Sequence, residues 1–276
     1  MIEHTAERVC TGLVFPEGPR WHDGKLWFSD FIDQRIATLD PETGNVETHI
    51  QLDDSPSGLG WTPEGELLFV SMRQRRLKRL GSDGPQTVAD LSSLCGGRAN
   101  DMAVDPAGGA YIGNFGFDMM GGAKADTTRL IRVDPDGSAR AVGGELMFPN
   151  GIALIEDGKR LVVAETYANH LTVFDVAGNG DLSNQRVFAQ FGEDLAPDGI
   201  SAAPDGTIWV ATARDNRCVR VREGGEIVAA VKIGAGNTYA CMLGGPDGRD
   251  LFICAAPGFR PEPGQRDGAI WRARLD

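Results

Sequence analysis

A short motif returns along this chain at a near-constant interval, and that repetition limits the fold more than any other feature. Phe15-Pro16-Glu17-Gly18, Phe148-Pro149-Asn150-Gly151 and Ala196-Pro197-Asp198-Gly199 share one frame and differ in the polar residue at its third place. Each opens a short apolar run, followed by a Gly-containing turn and a second run rich in Val, Ile, Trp or Phe. The same phase marks six positions, Glu17, Ser57, Asn100, Asn150, Asp198 and Ala240, at intervals of 40, 43, 50, 48 and 42 residues. That period is typical of propeller blades.

The fourth repeat shows the parts of a blade. Strand-like runs at 152–155, 161–165, 171–176 and 186–191 are separated by Gly, Asn and Asp turns. The other repeats follow suit, with third strands at 35–39, 75–80, 129–133, 218–222 and 269–275. The 37 Gly and 15 Pro are spread along the chain, as many short strands require. The sixth repeat lacks an outer strand, and 7–11 is a strand-like piece with no repeat of its own. The N-terminus is therefore expected to supply the missing strand and close the ring. A sandwich is the competing all-β fold, and six similar four-strand units disfavour it. The sequence predicts an all-β, six-bladed β-propeller, with residues 1–276 as one domain.

Charge narrows the partners. A net charge of −12 opposes binding to nucleic acid or to an anionic membrane, which both call for a basic face. The first eight residues carry two acidic groups and no apolar core, so no signal peptide is expected there. Five cysteines without a C-x-x-C pair read as buried apolar residues of a cytoplasmic protein.

In a propeller the link from one blade's outer strand to the next blade's inner strand crosses one face. All six mouth positions then ring one end of the central channel. Two carboxylates and two amides converging there repel one another and are poorly solvated unless a cation joins them. An all-oxygen set suits a hard divalent ion, Ca²⁺ first, with Mg²⁺ or Mn²⁺ also fitting. The four histidines are scattered and offer no zinc spacing.

Ordinary readings compete at each point. Pro-Glu-Gly and Pro-Asp-Gly are common turns, and those at 63–65, 135–137, 204–206 and 246–248 fall inside repeats as turns do. Only a shared phase sets 17, 150 and 198 apart. His22 reads as a solvated loop residue, His170 as part of a strand-connecting loop, and the basic run 73–79 as a solvated face. Trp27, Trp61, Trp209 and Trp271 read as strand cores or blade packing.

With these residues in view, the chain resembles the SMP-30/gluconolactonase/LRE family over essentially its whole length. The resemblance rests on Phe15-Pro16-Glu17-Gly18-Pro19 with Trp21, Asp30, Gly97-Arg98-Ala99-Asn100-Asp101, Phe148-Pro149-Asn150-Gly151 and Pro197-Asp198-Gly199. It implies a divalent metal on Glu17, Asn150 and Asp198, with Zn²⁺ or Fe²⁺ further candidates for the ion. It also implies substrate contacts from Arg98 and Asn100, and Asp198 as catalytic base. The chain departs from the sugar-lactonase branch at Gly113-Asn114-Phe115-Gly116-Phe117-Asp118-Met119-Met120, where that branch often carries Gly-Thr-Met and an acidic residue. Phe115, Phe117 and Met119 are expected to form an apolar substrate wall. The reading is a metal-dependent hydrolase of small lactones, less polar than aldonolactones, in a monomer or small homo-oligomer. A phosphotriester hydrolase and a non-catalytic metal- or ligand-binding propeller are the alternatives.

Overall fold

Short runs of alternating or wholly apolar residues, each ended by a Gly, Asn or Asp turn, form 25 strands among the described residues. The structure is a computed structural model and describes residues 1–192 and 195–276. Two strands come first, β1 (Ile2–Thr5) and β2 (Glu7–Leu13). Blade 1 follows as β3 (Pro16–His22), β4 (Lys25–Asp30), β5 (Arg35–Leu39) and β6 (Val46–Gln51). Blade 2 is β7 (Pro56–Trp61), β8 (Leu67–Ser71), β9 (Arg76–Gly81) and β10 (Gly84–Asp90). Blade 3 is β11 (Ala99–Val104), β12 (Ala110–Asn114), β13 (Thr128–Val133) and β14 (Ala139–Leu146). Blade 4 is β15 (Pro149–Ile155), β16 (Arg160–Glu165), β17 (His170–Val176) and β18 (Leu182–Gln190). Blade 5 is β19 (Pro197–Ala202), β20 (Ile208–Thr212), β21 (Arg217–Val221) and β22 (Ile227–Lys232). Blade 6 contributes β23 (Asn237–Gly244), β24 (Asp250–Ala256) and β25 (Gly268–Arg274). The fold is the expected six-bladed propeller.

The N-terminus closes the ring. β2 pairs antiparallel with β25, with Glu7 opposite Arg272 and Arg8 opposite Trp271, and completes blade 6 as a fourth strand. A second closure escaped the sequence reading: β1 lies parallel to β22, Ile2 opposite Ala229 through Thr5 opposite Lys232, as a fifth strand of blade 5. The N-terminal segment thus clasps two blades. β1 is mostly exposed, whereas Cys10 and Leu13 of β2 are buried between blades 1 and 6.

The core is divided. Six apolar clusters lie one at each blade-to-blade interface, so the middle strands are buried on both faces. The interface between blades 1 and 2 has few fully buried residues, Ile36, Leu59, Leu67 and Phe69, and is filled out by half-buried aromatics. His22, expected in a solvated loop, ends β3 instead. Its ring stacks on Trp61 at 3.9 Å and 13°, because this thin interface leaves the indole face to be covered. All five cysteines are buried and unpaired. The basic run 73–79 is laced with ion pairs, Arg73 to Asp54, Arg76 to Asp90 and Arg79 to Glu66.

Each inner strand carries the same irregularity. Its ladder slips between Glu17 and Arg20, Pro56 and Leu59, Ala99 and Met102, Pro149 and Ile152, Pro197 and Ile200, and Thr238 and Ala240. Every slip spans one extra residue on the inner strand, the count of a β-bulge, and falls at the mouth position.

Closure by β2 yields a graded prediction. Leu13→Ala, at 1% exposure in the blade 1–6 cluster, should cost about 2–5 kcal/mol in urea unfolding. Removing residues 1–5 should cost less than Leu13→Ala, since β1 buries little. A shortened chain less stable than Leu13→Ala would show that β1, not β2, is the main clasp.

Candidate active site

The bulges turn the mouth positions toward the channel axis, where inner strands crowd together. Glycine follows the polar residue in four of the six repeats. A Cβ on Gly58 would lie 2.3 Å from Met102 N, one on Gly151 2.5 Å from Asp198 O, and one on Gly199 2.5 Å from the Ala240 Cβ. Adjacent blades therefore touch at the mouth, and the side chains one residue earlier have little choice but to meet.

They meet through a directed chain of hydrogen bonds. Ser57 Oγ donates to Asn100 Oδ1 at 3.3 Å, and Asn100 Nδ2 donates to Asn150 Oδ1 at 3.1 Å. Asn150 Nδ2 donates to Thr166 Oγ1 at 3.2 Å, and Thr166 Oγ1 donates to Pro197 O at 2.8 Å. Blades 2 to 5 are thus linked across the mouth, and Asn150 is held from both sides. Thr166 was not singled out from sequence. It follows Glu165 at the end of the second strand, a phase that the repeats also align.

Glu17 and Asp198 face one another electrostatically. Burial pushes the Glu17 carboxyl well above its usual range, the Asp198 and Asp101 charges add to this, and Gly18 N–H and Arg20 oppose it. Asp198 is likewise raised, first by burial and then by Asp101, while Asn150 and Gly199 N–H pull it back. Asp198 Oδ1 is buried without any hydrogen-bond partner among the described residues. The nearby Tyr239 phenol is also pushed up, first by burial, with Asp198 and Glu17 contributing. An orphaned carboxylate oxygen, two repelling acids and two oriented amides are what a hard cation satisfies. The expected set Glu17, Asn150 and Asp198 therefore fits such an ion.

The apolar residues form a packed cluster beside the amides. Phe115, Phe117, Phe148 and Met72 are buried together, with Phe31 and Met119 against them. Phe148, directly before Pro149-Asn150, stacks on Phe115 at 4.7 Å and on Tyr167 at 4.8 Å. Phe115 and Phe117 are only 8% and 7% exposed, whereas Tyr167 is 47% exposed and Met120 45%. Solvent thus meets this cluster through Tyr167, whose hydroxyl lies 3.6 Å from Met119 Sδ. Phe115 N–H donates to Arg98 O at 2.9 Å, so Arg98 is tied to the same cluster. A cavity of about 440 Å³ opens beside Thr166 and is lined by Met147, Tyr167, Asn169, Ala196 and Arg214.

Phe148 and Ala196 take positive φ, 58° and 49°, a conformation that neither side chain favours. Side chains from the end of β16 and from the turn after it hold them there. Asn169 Oδ1 accepts Ala196 N–H at 2.9 Å, and Glu165 Oε2 accepts Met147 N–H at 2.6 Å. Glu165 Oε1 also takes His170 Nε2 at 2.9 Å and Thr172 Oγ1 at 2.5 Å. His170 is therefore the first residue of β17 and a partner of Glu165, not a loop residue as expected. Asp30 plays the same part in blade 1, accepting the N–H groups of Val14 and Phe15.

Residues 15–257 match the family described as the SMP-30/Gluconolactonase/LRE-like region. The chain is 28% identical over 256 residues to pentonolactonase XacC of Haloferax volcanii, covering 91% of this chain and 84% of the relative. It is 30% identical over 254 residues to regucalcin of Danio rerio, covering 87% and 82%. Among solved structures, the calcium-binding protein regucalcin of Agrobacterium tumefaciens superposes with a TM-score of 0.82 at 20% identity, over 100% of this chain and 97% of the other.

The Glu165 anchor carries its own prediction. Burial alone would raise this carboxyl, but His170, Thr172 and Met147 N–H outweigh burial and leave it below its usual range. A depressed carboxylate stabilises the fold above the unfolded value of about 4.3 and loses that contribution as pH falls through the folded value. Glu165→Gln should cost about 1–3 kcal/mol at pH 7, as a buried acceptor is replaced by a donor. The gap from the parent protein in urea unfolding should narrow below pH 4; a gap that stays constant would mean that the anchor acts by shape and not by charge.

Proposed function

Because this chain belongs to the SMP-30/gluconolactonase/LRE-like family, we propose that it hydrolyses small lactones at the mouth formed by Glu17, Asn150 and Asp198. The observation that carries this reading is Asp198 Oδ1, without a hydrogen-bond partner among the described residues and beside a second buried acid, in a ring that also holds two oriented amides. Glu17, Asn150 and Asp198 would hold one divalent ion, Ca²⁺ before Mg²⁺, Mn²⁺, Zn²⁺ or Fe²⁺, given oxygen donors alone. When bound, the ion supplies Lewis-acid polarisation of the ester carbonyl.

The chain's own groups do the rest. Asp198 takes the proton of the attacking water; a carboxylate that also holds the ion is a weaker base, so its effect rests on its buried, fixed position. Arg98 is half-buried and, among the described residues, has no side-chain ion pair, which leaves its guanidinium for the substrate. Asn100 spends one amide N–H on Asn150 and keeps the other for the substrate. The Ser57-to-Pro197 relay fixes both amides before substrate arrives, so no reorientation is needed during reaction.

The substrate lies between acid and aromatic sides. Tyr167, with Met119 and Phe117 behind it, offers an apolar face to alkyl or aryl substituents. The XacC relative is named for pentonolactones, so hydroxylated lactones are the natural comparison. Lactone-opening assays with alkyl-, aryl- and sugar-lactones, with and without chelator, test the reading directly. Turnover that chelator abolishes supports it; no turnover of any lactone in metal-replete protein would refute it.

Two outcomes follow for variants. Protein purified without chelator should contain close to one divalent ion per chain, and Glu17→Gln and Asp198→Asn should each lose most of it. Equal metal content in all three would remove these residues from the ion's shell. Tyr167→Ala should lower kcat/KM for aryl lactones by about fivefold, the scale of one aromatic contact of about 1 kcal/mol, and leave metal content unchanged. An equal loss on sugar lactones would show that Tyr167 does not select for apolar substituents.

A further inference from the structure

Three carboxylates, not two, belong to this end of the channel. Asp101 follows Asn100, where four other repeats have glycine, and its charge acts on both Glu17 and Asp198. Yet among the described residues it does not join them in a three-acid cluster. Its Oδ1 is held by two donors: its neighbour Met102 N–H at 2.8 Å, and Arg20 Nη2 at 2.8 Å. Arg20 reaches this point from blade 1, past blade 2, to blade 3. Gly58 clears the way, since a Cβ there would come within 2.9 Å of Asp101 Oδ1.

The guanidinium is itself fixed. Nη2 also donates to Met102 O at 2.5 Å, and Nη1 donates to Pro19 O at 2.8 Å. The two side chains are 16% and 9% exposed, and below them the channel widens into a cavity of about 390 Å³ lined by Trp21, Leu59, Trp61 and Val104 among others. An arginine held by three acceptors is not free to swing toward substrate. Its effect on the site is through Asp101 and through its charge.

The charge count is then informative. Glu17, Asp101 and Asp198 with Arg20 leave two net negative charges, which a divalent ion balances. Without the guanidinium three remain, and Asp101 is released toward the other two acids. Coulomb attraction scales with ion charge, so each added negative charge favours a trivalent ion over a divalent one by half as much again.

Resting on the cation reading above, we propose that Arg20 is a positioning residue that restrains Asp101 and sets the site's charge for a divalent ion against a trivalent one. Calorimetric titration of the full chain with Ca²⁺ and with La³⁺ tests this, with thermal unfolding to verify folding. Arg20→Met should raise the preference for La³⁺ over Ca²⁺ by at least about tenfold. Arg20→Lys, which keeps the charge, should stay near the parent ratio. The double variant Arg20→Met with Asp101→Asn restores two net charges and should return the ratio close to the parent's, even if Arg20→Met alone is poorly folded. Proportional weakening of both ions in Arg20→Met, or a double variant that keeps the altered ratio, overturns the proposal and leaves the cation site standing. A parent protein that binds neither ion overturns the cation reading and this proposal together.

Discussion

Crowding at the channel axis is the constraint on which the rest depends. Inner strands of adjacent blades approach until a Cβ after the mouth position would overlap the next backbone, as at Gly58, Gly151 and Gly199. Close packing at these points is sterically cheap only for glycine. It brings the preceding side chains to one place, and the shared bulge aims them inward. The price is electrostatic: Glu17 and Asp198 are driven together with no group among the described residues to satisfy Asp198 Oδ1. Geometry chosen by packing thus creates a binding demand.

That demand can persist only if the mouth cannot relax. Six separate apolar interfaces and a double N-terminal clasp keep the blades in register. Locally, side chains from the ends of the second strands and from the turns after them reach back to the segments before the mouth positions. Asp30 holds Phe15, Glu165 holds Met147, and Asn169 holds Ala196 in its unfavourable φ. The candidate site sits at strand starts fixed by a scaffold, which gives tighter positioning than free loops would.

Much of this was legible because repetition is visible in a single sequence. The period, the four runs per repeat and the common phase of Glu17, Asn150 and Asp198 needed no coordinates, and neither did closure by the piece at 7–11. What stayed hidden depends on contacts between repeats. Nothing in Ile2-Glu3-His4-Thr5 signals a parallel pairing with β22, since parallel partners are set by the far end of the chain. His22 looked solvated because its partner, Trp61, lies one blade away. Thr166 follows a carboxylate that drew no attention, and Arg20 pairs with Asp101 across 81 residues. The aromatic segment was placed beside the right strand, yet Phe115 and Phe117 are largely consumed in packing, and Tyr167 presents the cluster to solvent.

The distribution of residue types around the ring also orients whatever binds there. The acids at the six mouth positions come from blades 5 and 1, Asp101 of blade 3 being neutralised by Arg20, and the blade between them contributes only Ala240, with Tyr239 packed on Phe15 at 4.5 Å behind it. Amides come from blades 3 and 4, which also carry Arg98 and the Phe115–Phe148–Tyr167 stack. The mouth is therefore two-sided, acidic across blades 5, 6 and 1, amide and aromatic across blades 3 and 4. On the proposed function, a small lactone with its ester oxygens toward the acids would turn its ring substituents toward the aromatics. The long β12–β13 connection leaves that second side, so on the proposed function changes in its sequence would bear on the substituent accepted rather than on the acidic side. Separation of this kind explains how one propeller mouth could keep its ester chemistry while its substrate preference changes.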